Sequence, residues 1–123
     1  MTEPNMIILY VTNPTASATF YQNLLGYAPI EASPTFVMFA LKSGFMLGLW
    51  AKHTVEPVPT SANGASELVF AIENHQAVDQ VSKEWKKRGL KIIQSPTTMD
   101  FGYTFVAVDL DGHRLRVFSP VQS

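Results

Sequence analysis

The apolar and polar positions of this chain fall into one order of elements written twice. "MIILYVTN" is a β-rich run ending at Asn13, and in the following "PTASATFYQNLLGY" Ala18, Tyr21, Leu24 and Leu25 recur at helical spacing. Asn13 suits a helix N-cap, Pro14 the first turn and Gly26 the C-terminal stop. In the second half "ELVFAIEN" is again a β-rich run, ending at Asn74. "HQAVDQVSKEWKKRGL" then carries Val78, Val81 and Trp85 on one stripe and stops at Gly89. Three strand candidates follow each helix, at about 27–32, 35–41 and 45–51 and at about 91–97, 103–109 and 114–119. "LKSGFMLGLW" and "DLDGHRLRVF" match as hairpins with Gly44 and Gly112 in turns that need positive φ.

An offset of 61 residues relates Met6 to Glu67 and Asn13 to Asn74, and an offset of 68 relates Gly48 to Arg116 and Trp50 to Phe118. The stretch between the halves, "AKHTVEPVPTSANGAS", is rich in proline and small polar residues and reads as a linker. The expected fold is α+β: two βαβββ repeats forming a concave eight-stranded mixed sheet with helices on the outer face. One domain is expected over 1–123, with repeat 1 over about 5–51, the linker over about 52–65 and repeat 2 over about 66–120.

Strand alternation sorts the side chains into two faces. Ile7, Leu9 and Val11, Phe45, Leu47 and Leu49, Leu68, Phe70 and Ile72, and Leu115 and Val117 face the helices. The opposite face should be polar, yet it holds Met6, Ile8, Tyr10, Met46, Trp50, Val69 and Phe118. An apolar face without a helix needs a ligand, a second copy or a covering loop. In the middle of that face Gly48 weakens its strand and leaves room for something large.

Composition narrows the choice of partner. Hydrophobic residues make up 46% of the chain and charged ones 15%, so a packed core is available. The net charge is -1, and Lys83, Lys86, Lys87, Arg88 and Lys91 sit at a helix end and the strand after it, which argues against nucleic-acid binding. The chain has no cysteine, which excludes disulfides and thiolate chemistry. No apolar run approaches the roughly 18 residues of a membrane-spanning helix, and "MTEPNMIILY" lacks the layout of a secretory leader. A cytoplasmic protein without membrane contact is expected. His53, His75 and His113 are expected at the surface, and no serine lies in a G-x-S-x-G elbow.

The doubled pattern, the segment "VTNPTASATFYQNLLGY" with Phe20-Tyr21 ahead of Leu25-Gly26, and "DLDGHRLRVFSP" with Asp109, Asp111 and Gly112 resemble the vicinal oxygen chelate superfamily. That superfamily includes glyoxalase I, extradiol dioxygenases, and fosfomycin and bleomycin resistance proteins. The resemblance implies four metal-ligand positions, which fall here on Met6, Gly48, Glu67 and Arg116. Only Glu67 suits a hard divalent ion, because arginine has no acceptor and glycine no side chain. The chain is therefore expected to work without metal or cofactor, and Glu67 and Arg116 either pair in the vacated site or each reach solvent.

Within the superfamily the chain is similar to the small metal-free resistance proteins that bind phenazine antibiotics. The resemblance implies a homodimer that sequesters a planar aromatic molecule. Trp50 is the expected stacking wall, with Phe36, Met38, Met46, Tyr10 and Phe118 around it and Gly48 opening the floor. Arg116 would meet a ligand carboxylate, with Glu67 or Tyr10 setting orientation. Two other readings remain: a bleomycin-type drug-binding protein, and an enzyme in which Glu67, its pKa raised by apolar surroundings, acts as a base.

Overall fold

The computed structural model describes residues 5–56, 58–59 and 67–121. The chain divides into two units, Met1–Ala62 and Asn63–Ser123, each holding one of the repeats. Unit 1 contains β1 (Met6–Val11), α1 (Pro14–Leu25), β2 (Glu31–Ala32), β3 (Phe36–Ala40) and β4 (Met46–Ala51). Unit 2 contains β5 (Glu67–Ala71), α2 (His75–Lys87), β6 (Lys91–Met99), β7 (Gly102–Val108) and β8 (Arg114–Pro120). The βαβββ order is present twice, and the eight strands form two four-stranded mixed sheets ordered β1-β4-β3-β2 and β5-β8-β7-β6. The expected linker begins with a 3-10 turn, Lys52–Thr54, and a buried Val55; residues 57 and 60–66 lie outside the described residues.

Both sequence offsets survive as backbone geometry. In unit 1 the parallel pair β1 and β4 sets Met6 beside Met46, and in unit 2 the parallel pair β5 and β8 sets Glu67 beside Arg114, the corresponding residues. The hairpin turns match bond for bond. Leu41 N–H donates to Phe45 O and Gly44 N–H to Leu41 O, just as Asp109 N–H donates to His113 O and Gly112 N–H to Asp109 O. Gly44 and Gly112 have φ of 94° and 84°, values that residues with a Cβ rarely adopt.

The helices start as the sequence predicts. The Asn13 side chain accepts from Ala16 N at 3.2 Å and that of Asn74 from Ala77 N at 2.8 Å, satisfying an otherwise unpaired N–H in each first turn. α1 stops at Gly26, with φ 87°, and α2 at Arg88, one residue before Gly89.

α1 packs on β3 and β4, and α2 on β6, β7 and β8. The packed stripe of α1 is Pro14, Ser17 and Tyr21, and the expected Ala18, Leu24 and Leu25 are only half-buried. A serine at the centre of the stripe, spaced three and four residues from its neighbours, hides this face from a count of apolar residues. In α2, Val78 and Trp85 are buried and Val81 is half-buried. Trp85 meets Phe70 and Phe105 edge to face at 5.5 and 5.4 Å, each pair adding about 0.5–1.5 kcal/mol beyond area burial.

His113 corrects a sequence expectation. It is buried rather than at the surface, because it lies two residues before Leu115 on the helix-facing side of β8. Its N–H donates to the Asp109 carboxylate at 2.8 Å, and that carboxylate also accepts from Asp111 N at 2.9 Å. His53 and His75 are exposed, His75 stacking on Tyr103 with ring centroids 4.6 Å apart.

Candidate functional site

Each unit leaves one sheet face without a helix, and the two faces carry different chemistry. In unit 1 the register lays side chains in rows across β1, β4 and β3: Met6, Met46 and Ala40, then Ile8, Gly48 and Met38, then Tyr10, Trp50 and Phe36. The last row is aromatic throughout. Tyr10 meets Trp50 edge-on at 6.3 Å with an 82° angle between ring planes, and Phe36 meets Trp50 at 6.5 Å and 86°. Trp50 is thus held in perpendicular contacts by both neighbours, a favoured geometry for aromatic pairs. Met6, Ile8 and Tyr10 are 38%, 37% and 36% exposed, so the face is open within its unit.

Gly48 is buried, and a Cβ built on it would lie 3.0 Å from Phe36 Cζ and 3.3 Å from Ile8 Cγ1. The expected open floor is therefore corrected: the room left by the glycine is taken by the tip of the Phe36 ring, with Ile8 on the other side. The missing side chain lets an aromatic ring lie down across β4.

In unit 2 the row holding Arg116 places it between Val69 and Val106, and the next row places Phe118 beside Thr104. Arg116 and Glu67 form a bidentate pair, Nε to Oε1 at 2.9 Å and Nη2 to Oε2 at 3.0 Å. The Arg116 side chain is 17% exposed and that of Glu67 30%. Nη1 also donates to Thr104 Oγ1 at 3.2 Å and toward Gln94 Oε1 at 3.4 Å. Thr104 in turn donates to Val117 O at 2.8 Å. The Phe101 ring centroid lies 5.5 Å from the guanidinium carbon, and the ring packs perpendicular to Phe118 at 5.7 Å, so an aromatic ring covers one side of the arginine.

This arrangement answers whether the two charges pair, and it corrects the expectation of a raised Glu67 pKa. The hydrogen bonds from Arg116 hold the Glu67 carboxyl below its ordinary range; desolvation pushes the other way, and the charges of Arg116 and Arg114 add to the lowering. A carboxylate stabilised in its ionised form is a poor general base near neutral pH. The same bonds decide the fit of a metal. Both Glu67 oxygens are already engaged by a fixed cation, Gly48 offers no donor and Met6 only a thioether, so the residues at the carried-over positions do not fit a hard divalent ion.

Gln94, Thr104 and Phe101 belong to the unit 2 centre and were not predicted. Thr104 was within reach of sequence reasoning, since it lies 68 residues after Phe36. Gln94 was not. β6 carries an extra residue between Ile92 and Gln94 and another between Gln94 and Thr97, around Pro96, so simple alternation assigns Gln94 to the wrong face.

Paired βαβββ units of this kind are the architecture of the glyoxalase-type α+β proteins. The chain belongs to the Glyoxalase/Bleomycin resistance protein/Dioxygenase superfamily, whose family model matches residues 4–117. Among curated proteins it is similar to the phenazine antibiotic resistance protein EhpR of Enterobacter agglomerans, 29% identical over 119 residues that span 93% of this chain and 89% of the relative. Among solved structures, a protein from Agrobacterium tumefaciens determined in solution by NMR is 50% identical, with a TM-score of 0.91 over 99% of this chain and 100% of that one. A glyoxalase-related enzyme from Fulvimarina pelagi shares the fold at 20% identity, with a TM-score of 0.83 over 100% of this chain and 94% of that one. No helix among the described residues is long and apolar enough to cross a membrane.

Proposed function

We propose that this protein binds a planar aromatic small molecule of the phenazine type and confers resistance by sequestering it, without metal and without turnover. The observation that carries this reading is the aromatic row Tyr10, Trp50 and Phe36 on an exposed apolar face, its rings in perpendicular contact. The similarity to a phenazine antibiotic resistance protein over nearly the whole chain supports it. Met38 lies in the next row of the same face and Met46 in the row beyond it, and thioether side chains adapt to irregular ligand edges. Sequestration asks only for affinity: a micromolar dissociation constant corresponds to about -8 kcal/mol, within reach of a buried three-ring ligand. The protein acts as a homodimer in this reading, which sedimentation of the purified chain tests independently.

Titration with unsubstituted phenazine, with and without added Zn²⁺ or Mg²⁺, tests the reading through tryptophan fluorescence and calorimetry. Saturable binding that ignores metal is expected. Trp50→Ala should weaken it tenfold or more, while Trp85→Phe, which alters the buried tryptophan of α2, should leave the affinity unchanged. Metal-dependent binding, or full affinity in Trp50→Ala, would sink the proposal.

A further inference from the structure

Unit 2 has an opening on the side of its sheet that packs against α2. Helix positions counted from the asparagine caps correspond between the units, and the eighth is Tyr21 in unit 1 and Ser82 in unit 2. Tyr21 is 1% exposed, a large side chain wholly enclosed, whereas the small Ser82 lines a groove of about 360 Å³ between α2 and β6, within the size range of small-molecule sites. Leu90, Ile92 and Pro96 give the groove an apolar lining. Ser82 is 8% exposed and makes no side-chain hydrogen bond among the described residues. A helical serine that neither reaches solvent freely nor returns a bond to the preceding turn is a donor in want of an acceptor.

Lys83 and Lys86 border the same groove, three residues apart and so on one side of the helix. Neither has a carboxylate within ion-pair distance among the described residues. The acids of α2 are engaged elsewhere: Glu84 pairs with Arg88 at 3.1 Å, and Asp79 accepts from the Tyr103 hydroxyl at 2.7 Å. Asp79 also borders the groove, which therefore carries two positive charges and one negative, a balance that suits a monoanion better than a dianion. We propose that this groove is a binding site for a small aliphatic monocarboxylate. Ser82 Oγ and the ammonium groups of Lys83 and Lys86 donate to the carboxylate, and the hydrocarbon body lies against Leu90, Ile92 and Pro96. The site lies wholly within unit 2 and stands or falls separately from the aromatic reading.

Hexanoate is the probe, followed by NMR through the backbone amides and indole groups of the full chain. Hexan-1-ol keeps the hydrocarbon body without the charge, and hexyl phosphate at mildly alkaline pH doubles the charge. Hexanoate should give saturable shifts at Ser82, Lys83, Leu90 and Ile92 with a dissociation constant of about 1 mM or tighter, and leave the Trp50 indole resonance in place. It should bind about tenfold more tightly than either comparison compound. Lys83→Gln combined with Lys86→Gln alters two exposed side chains, so the fold is kept, and should weaken hexanoate binding about tenfold. Ser82→Ala should weaken it about threefold. Silence of the groove amides at about 20 mM hexanoate, well above that constant, would overturn the assignment. So would shifts centred on Trp50, a comparison compound binding as tightly as hexanoate, or undiminished affinity in either variant.

Discussion

The two repeats share strand order, register, asparagine caps and turn bonds, yet they furnish their helix-free faces in opposite ways. Where unit 1 has Gly48, with the Phe36 ring lying across it, unit 2 has Arg116. Where unit 1 has Met6 at the head of its first strand, unit 2 has Glu67, and this second substitution makes the first tolerable. A half-buried arginine among Val69, Val106 and Phe101 is costly alone, and the bidentate carboxylate with Thr104 offsets that cost without necessarily adding net stability. The backbone is thus set by the conserved geometry of caps, turns and helix-facing apolar positions, and the opposite face is free to become greasy in one copy and ionic in the other. Similarity between the halves was a guide to the fold and a poor guide to the chemistry.

The largest expected break between the copies is at Gly102. Its φ is 149°, and a Cβ there would overlap Ser119 O and come within 3.1 Å of Pro120 Cα. The glycine lets β7 run alongside the end of β8 for two more residues, pairing Gly102 with Pro120 and Tyr103 with Ser119. The residue 68 positions earlier is Pro34, ahead of the start of β3. Gly102→Ala should cost about 3 kcal/mol or more, combining a forbidden backbone region with a clash against backbone that cannot move aside. Pro34→Ala should cost less than about 1 kcal/mol. Urea denaturation of the two variants reads both, and equal losses would mean that the close approach in unit 2 is not structural.

Next in size is the ion pair. Arg116→Met leaves Glu67 half-buried without its partner and should cost about 2 kcal/mol, between the small value of exposed pairs and the 3–5 kcal/mol of fully buried ones. The pH dependence follows from the lowered pKa of Glu67. An unfolded glutamate titrates near about 4.3, so the pair's contribution is fully present above that value and is lost as pH falls through the lower folded pKa. Wild-type stability should therefore fall more steeply from about pH 5 to about pH 3 than that of Glu67→Gln. Parallel curves would show that Glu67 is not held ionised by Arg116.

Much of the fold was legible because the signals are local. Asn-capped helix starts, glycine at the hairpin turns and period-two alternation each depend on a few neighbouring residues, and all reappear where expected. The residues named for the site also fall on the helix-free faces, since alternation fixes the face. What alternation does not fix is what a side chain finds there. The ring of Phe36 over Gly48 depends on the pairing of β3 with β4, and the Arg116 network depends on a bulge that brings Gln94 round to the same face. The buried His113 is a different case: the alternation that places Leu115 and Val117 on the helix side extends one step back to it, even though it stands beside the turn at Gly112.

The smallest effect is expected at Gly48, where two terms of opposite sign meet. Gly48→Ala narrows the unfolded ensemble, which stabilises by about 0.4–1 kcal/mol where the native backbone suits alanine. Against this, the added methyl would stand 3.0 Å from the tip of the Phe36 ring and 3.3 Å from Ile8, contacts that require a shift of a few tenths of an ångström. Overpacking costs about 1–3 kcal/mol when neighbours are fixed, but Phe36 is half-buried and touches the glycine only with the end of its ring, so it can tilt. The net change in stability should be a loss of about 1 kcal/mol or less. A tilted Phe36 also alters its edge-on contact with Trp50, so phenazine affinity should fall a few-fold although the methyl itself makes no ligand contact. Phe36→Leu in the Gly48→Ala background should recover the stability without recovering the affinity. If affinity returned as well, the ring would matter only for packing, and the aromatic row would reduce to Tyr10 and Trp50.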